Sequence, residues 1–74
     1  AETGHGQSIQ KLTGREIEVL QLLARGFTNK EISEKLFLSV KTIEAHRSKI
    51  YQKLNIKTRA ELVDYAIRHK LMEL

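Results

Sequence analysis

The stretch LFLSVKTIEAH, residues 36–46, decides how this chain folds. An apolar run with helical spacing reaches Leu36 and pauses over Phe37, Leu38 and Ser39. It restarts at Val40, with Lys41 and Thr42 directly behind. A serine placed ahead of an apolar-periodic run is a helix N-cap, because its hydroxyl can accept from an orphan first-turn N–H. So short a gap makes the flanking helices cross steeply rather than lie antiparallel, which is helix-turn-helix spacing. Phe37 and Leu38 read as apolar because the turn is tucked against a preceding helix.

Three more starts frame this turn. Thr13 is followed three residues on by Glu16, Thr28 by Glu31, and Thr58 by Glu61. Each pair fits a capping box, in which the threonine oxygen and the glutamate carboxylate each take one backbone N–H. The spacing predicts a first helix over about 14–25, with Ile17, Leu20, Leu23 and Ala24 as its apolar stripe, widened by Val19 and Leu22. Gly26 supplies a left-handed stop. A second helix over about 29–36 turns Ile32 and Leu36 inward. A third over about 40–54 turns Val40, Ile43, Ile50 and Leu54 inward, and Asn55 ends it. A fourth over about 59–69 places Ala60, Val63 and Ile67 on one face, with Leu71 following. No strand-like alternation competes, so the class is all-α: four helices, with the third following the turn. Residues 1–11, AETGHGQSIQK, have no period and read as a flexible leader, linker or tag remnant, leaving 12–74 as the domain.

With 74 residues the chain makes one small domain with a modest core, and a deep catalytic cleft would be hard to build. It has no cysteine, so neither a disulfide nor a thiolate metal site can form. His5, His46 and His69 lack ligand spacing, and no phosphate loop or nucleophile elbow occurs. We therefore expect no enzyme activity and no cofactor or metal. No apolar stretch is long enough to span a bilayer, and a cytoplasmic setting fits best. The first residue is Ala1, as in a fragment of a longer protein.

The net charge of +4 is unevenly spread. Between residues 41 and 59, six basic residues (Lys41, Arg47, Lys49, Lys53, Lys57, Arg59) meet one acid, Glu44, while the remainder holds seven basic and eight acidic residues. An excess concentrated in one quarter of the chain suits a polyanion, with nucleic acid ahead of an anionic membrane surface. A basic amphipathic membrane helix would need exposed bulky apolar residues that the core requires here. On the third helix, Lys41, Glu44, Ala45, Ser48, Lys49 and Gln52 share the face opposite Ile43 and Ile50. That face offers donors, acceptors and a small methyl, the groups that read base edges. Lys41 and Thr42 sit at the positive end of the helix dipole, which favours phosphate. Glu44 accepts from a cytosine amino group, orients Lys41 or Lys49, or pairs within the helix with Lys41 or Arg47.

Taken together, LTGREIEVL, G-x-TNKEIS, LFLSVKTIEAHRSKI and KL-x-I-x-TRAEL resemble the C-terminal DNA-binding domain of LuxR-type transcription regulators. The resemblance is strongest to the NarL/FixJ response-regulator branch and covers residues 12 to about 71. One departure is Gly14, where relatives often carry proline or glutamate. The resemblance implies a four-helix domain that binds double-stranded DNA as a homodimer, with the third helix as recognition helix. It assigns base contacts to Glu44, Ala45 and Ser48, and phosphate or base-edge contacts to Lys41 and Lys49. Thr28, Asn29 and Lys30 match backbone contacts. Ser39, Thr42, Arg47 and Lys53 complete the DNA-binding set expected from the cap and the basic segment. It also assigns the dimer contact to the fourth helix, where Leu62, Tyr65, Ala66 and His69 form a second, partly apolar face; alternatively Leu62 and Tyr65 finish the core. A receiver or sensor domain N-terminal to this one, and RNA polymerase, are the further partners implied. A helix-turn-helix serving protein–protein contact, or a sigma-factor-like module, would share the fold but lack salt-sensitive duplex binding.

Overall fold

The computed structural model describes residues 12–71, so the leader expected at 1–11 lies outside the described residues. Four α-helices follow in order: α1 Gly14–Ala24, α2 Asn29–Leu36, α3 Val40–Leu54 and α4 Arg59–Arg68. No strand occurs among the described residues. All three capping boxes form. Thr13, Thr28 and Thr58 accept from the N–H groups of Glu16, Glu31 and Glu61, and each glutamate accepts from its threonine's own N–H. Ser39 caps α3 by accepting from the Thr42 N–H at 3.0 Å.

The helices end as regularly as they begin. Each is followed by a positive-φ residue, in turn Gly26, Phe37, Asn55 and Lys70. The residue after it is apolar: Phe27, Leu38, Ile56 or Leu71. Its N–H reaches back five residues, to the carbonyls of Leu22, Ser33, Tyr51 and Ala66 respectively. This is the Schellman closure, which satisfies orphan carbonyls and folds an apolar side chain back onto the helix. All four of these apolar residues pack against the core. The short turn at 37–39 is thus one left-handed residue, one apolar anchor and one N-cap.

Helix α1 is the hub, packing on α2, α3 and α4, while α2 packs on α3. Val19, Leu20, Leu23, Ile32, Ile43, Ile50, Leu62 and Ala66 are fully buried between them. Each large aliphatic side chain among them contributes roughly 1.5–3 kcal/mol relative to exposure. Two long-range hydrogen bonds join the ends: Gln21 Nε2 donates to the Leu71 carbonyl at 3.0 Å, and an Arg59 guanidinium N–H donates to the Leu23 carbonyl at 3.1 Å.

The structure corrects the sequence reading in four places. Phe37 is not tucked in: it is 93% exposed at the left-handed turn, and only Leu38 packs against the core. Val40, at the first turn of α3, is also exposed, at 39%, rather than inward. On α4 the faces are exchanged. Leu62 and Ala66 are fully buried, whereas Ala60 is exposed and Val63 and Ile67 are only partly covered. Leu62 and Ala66 therefore cannot form an exposed partner face. Finally, α1 and α4 each stop one residue sooner, at Ala24 and Arg68, with Arg25 and His69 as caps.

Candidate nucleic-acid interface

The turn and α3 build one surface from the residues upward. Once Ser39 has taken the Thr42 N–H, the N–H groups of Val40 and Lys41 have no intrahelical acceptor and point out along the axis. The Ser39 hydroxyl also donates to Thr42 Oγ1 at 2.9 Å, which fixes the threonine hydroxyl beside the helix end. Lys41 is exposed at this end, so a full positive charge sits beside the helix dipole.

Along α3, Lys41, Glu44, Ala45, Ser48, Lys49 and Gln52 are all exposed, while Ile43 and Ile50 opposite them are buried. The helix thus presents a continuous polar ridge bordered by its own core stripe. The Glu44 carboxylate makes no ion pair with Lys41 or Arg47 and no hydrogen bond among the described residues, so the intrahelical pairing that its spacing allows is not formed. Its carboxylate is left free to accept. At the start of α2, Thr28 and Lys30 are exposed and Asn29 half-buried. Thr28's hydroxyl is engaged with the Glu31 N–H at 3.1 Å, so its contact with any ligand would use what the cap leaves over.

Three basic residues of the segment have structural partners: Arg59, bonded to the Leu23 carbonyl, Lys53 and Arg47. Lys53 Nζ lies 2.8 Å from Oε1 of Glu16, a residue only 3% exposed, and Lys53 is itself half-buried. Burial alone pushes the Glu16 carboxyl up. The Lys53 hydrogen bond, the Thr13 N–H, and the charges of Lys53 and His46 outweigh it and hold the group below its ordinary value of 4.5. Arg47 places its guanidinium 4.7 Å from the centre of the Tyr51 ring, a cation–π contact that orients it along the helix. The sequence signal for the Lys53 pair was weak: Glu16 already had a role as capping residue, and nothing in its spacing pointed 37 residues ahead.

No group of three metal-ligating side chains gathers among the described residues. No helix among them is long and apolar enough to cross a membrane.

Comparison with known proteins identifies the family. Residues 10–66 match the family model described as bacterial regulatory proteins, luxR family. The oxygen regulatory protein NreC of Staphylococcus carnosus is 58% identical over 62 residues, covering 84% of this chain and 29% of the relative. Proteins of the same name from Staphylococcus epidermidis and Staphylococcus aureus are 56% identical over the same length, covering 28% and 29% of their own chains. The chain thus spans less than a third of these relatives. It belongs to the luxR family of bacterial regulatory proteins, and its four helices are that family's helix-turn-helix DNA-binding domain.

Proposed function

We propose that this domain reads double-stranded DNA in sequence-specific fashion, as the output domain of a two-component response regulator working in the cytoplasm. The observation that carries the reading is the exposed polar ridge on α3, headed by Lys41 at an open helix N-terminus. Lys41, Lys49 and Lys30 position the domain on phosphates, together with Ser39, Thr42, Thr28 and Asn29. Glu44, Ala45 and Ser48 meet base edges in the major groove. Arg47, oriented by Tyr51, supports the backbone contacts. Lys53 acts through the fold, by its bond to Glu16. Two copies would bind half-sites about 10 bp apart, with α4 between them. A receiver domain elsewhere in the full protein would control that pairing, and RNA polymerase would receive the output. The chemistry is binding rather than catalysis. The name of the relatives, oxygen regulatory protein, makes an oxygen-linked signal the first upstream input to test.

The test is titration with random-sequence duplex DNA at several salt concentrations. Counterion release should make log affinity fall linearly with log salt, with a slope of roughly −0.9 per phosphate contact. Binding without such a slope, or no binding at low salt, would overturn the reading in favour of a protein-interaction module.

A further inference from the structure

Phe37 is the anomaly of the described surface. The residue is 93% exposed, and its backbone sits at φ 58, ψ 43, a region that bulky residues rarely occupy. The equivalent turn positions at the other three helix ends hold Gly26, Asn55 and Lys70, none of which exposes an apolar ring. Neither constraint at position 37 calls for phenylalanine: the left-handed turn favours glycine or asparagine, and water favours a polar group. A strained conformation carrying an unburied ring points to a contact made outside the monomer.

Position identifies the contact. Two peptide units separate Phe37 from Ser39, the cap of α3, so their Cα atoms lie no more than about 7 Å apart. Val40, the first residue of α3, is the other large apolar side chain exposed among the described residues. Phe37 and Val40 therefore bracket the cap at the end of the helix that enters the DNA. Lys41, exposed directly after Val40, sets a positive charge beside this pair, while the Lys35 ammonium lies over the Phe27 ring. A duplex presents matching chemistry there, with phosphates beside the apolar faces of deoxyribose and the thymine methyl. We propose that Phe37, with Val40, packs on the apolar surface of duplex DNA at the edge of the recognition helix. The contact rests on the DNA-reading function proposed above and adds affinity that no charge supplies.

The experiment compares the wild-type chain with Phe37→Gly on a duplex enriched by the wild-type chain from a random pool. Glycine relieves the turn, so the melting temperature should rise, by about 4–8 °C in so small a domain. Affinity for the duplex should fall about tenfold, with the salt slope unchanged because no phosphate contact is lost. Equal affinity of the two proteins would overturn the contact. Should the glycine variant melt lower, Phe37→Asn, which copies the Asn55 turn, takes its place under the same criterion. Replacing thymines of the duplex by uracils separates the two apolar faces: loss of affinity in the wild type alone assigns the methyl, and no loss assigns deoxyribose. Failure of the underlying DNA reading is distinct, since the wild type itself would then show no salt-dependent duplex binding.

Discussion

Lys53 Nζ lies 2.8 Å from Glu16 Oε1, tying the last turn of α3 to the first turn of α1 across 37 residues. The same carboxylate oxygen also accepts from the Thr13 N–H at 3.1 Å. One buried group thus caps α1 and ties the end of α3 to it. Removing the cation strands a carboxylate with almost no access to water. Breaking a fully buried pair costs about 3–5 kcal/mol. Here the Lys53 side chain keeps 31% of its exposure and the Thr13 N–H still serves Glu16. We therefore expect Lys53→Met to destabilise the domain by about 1–3 kcal/mol in urea unfolding at neutral pH. Its salt slope for DNA should stay close to wild type, because Lys53 acts through the fold. A slope reduced by a full unit would place Lys53 on phosphate instead.

Acid acts on the same pair. Glu16 is held below its ordinary value of 4.5 in the folded protein, so between that value and its folded one the unfolded chain binds the extra proton. Stability then rises with pH across this window and falls as pH drops from about 4.5 through the folded pKa. Glu61 is shifted in the same direction by the N–H groups of Lys57 and Thr58, which adds to the trend without burial. Urea midpoints measured from about pH 6 down to pH 3 should decline below about pH 4.5, and the Glu16→Gln variant should decline less. An identical decline in the variant would assign the acid sensitivity to other carboxylates.

The two signals that the chain states locally were legible, and those that depend on packing angle were not. Threonine and glutamate three residues apart determine a cap by themselves, so the starts of α1, α2 and α4 could be read from residues alone. Gly26 and Asn55 announced left-handed ends because those residue types tolerate them. Phe37 and Lys70 occupy the same conformation without the composition that advertises it. On α4, Leu62 and Ala66 form one four-residue row and Val63 and Ile67 the next, only about 100° around the helix. Sequence gives both rows the same spacing. Which one faces α1 is decided by the tilt of α4, and Leu62 with Ala66 wins. The polar ridge on α3 was legible because its complement, Ile43 and Ile50, is apolar with no second candidate row.

Gly26 tests the helix-end argument. Its φ is +97, and a Cβ built there would meet nothing within 4 Å, so any cost of a side chain is conformational and not steric. Gly26→Ala should destabilise the domain by about 1 kcal/mol, measured as a lower urea midpoint with an unchanged slope. A neutral result would mean that the turn relaxes out of the left-handed region without disturbing Phe27.

The ridge predicts two separable variants. Lys41→Ala removes a charge at the open end of α3 and should weaken binding to every duplex while lowering the salt slope by about one unit. Ser48→Ala removes only a hydroxyl from the exposed face. It should leave binding to random DNA nearly intact and change which duplexes are enriched from a pool, by about 1–3 kcal/mol at the position it contacts. If Lys41→Ala changed neither affinity nor slope, α3 would not be the helix that enters the groove.

The exchange of faces on α4 separates stability from assembly. Leu62 is fully buried against the hub, so Leu62→Ala should cost about 2–5 kcal/mol whatever the protein concentration. Any contact between two copies has to use groups still accessible on that helix. Tyr65 is half-buried with its ring 4.2 Å from that of His69, which is exposed at the helix end beside the partly covered Ile67. His69→Glu places a charge at the edge of this patch and leaves the core untouched. If α4 joins two copies on DNA, the variant should lose only about 0.3–1 kcal/mol of stability from the carboxylate at the helix C-terminus, bind a single half-site equally well, and lose cooperativity on a duplex carrying two. Retained cooperativity would move the contact between copies to another helix.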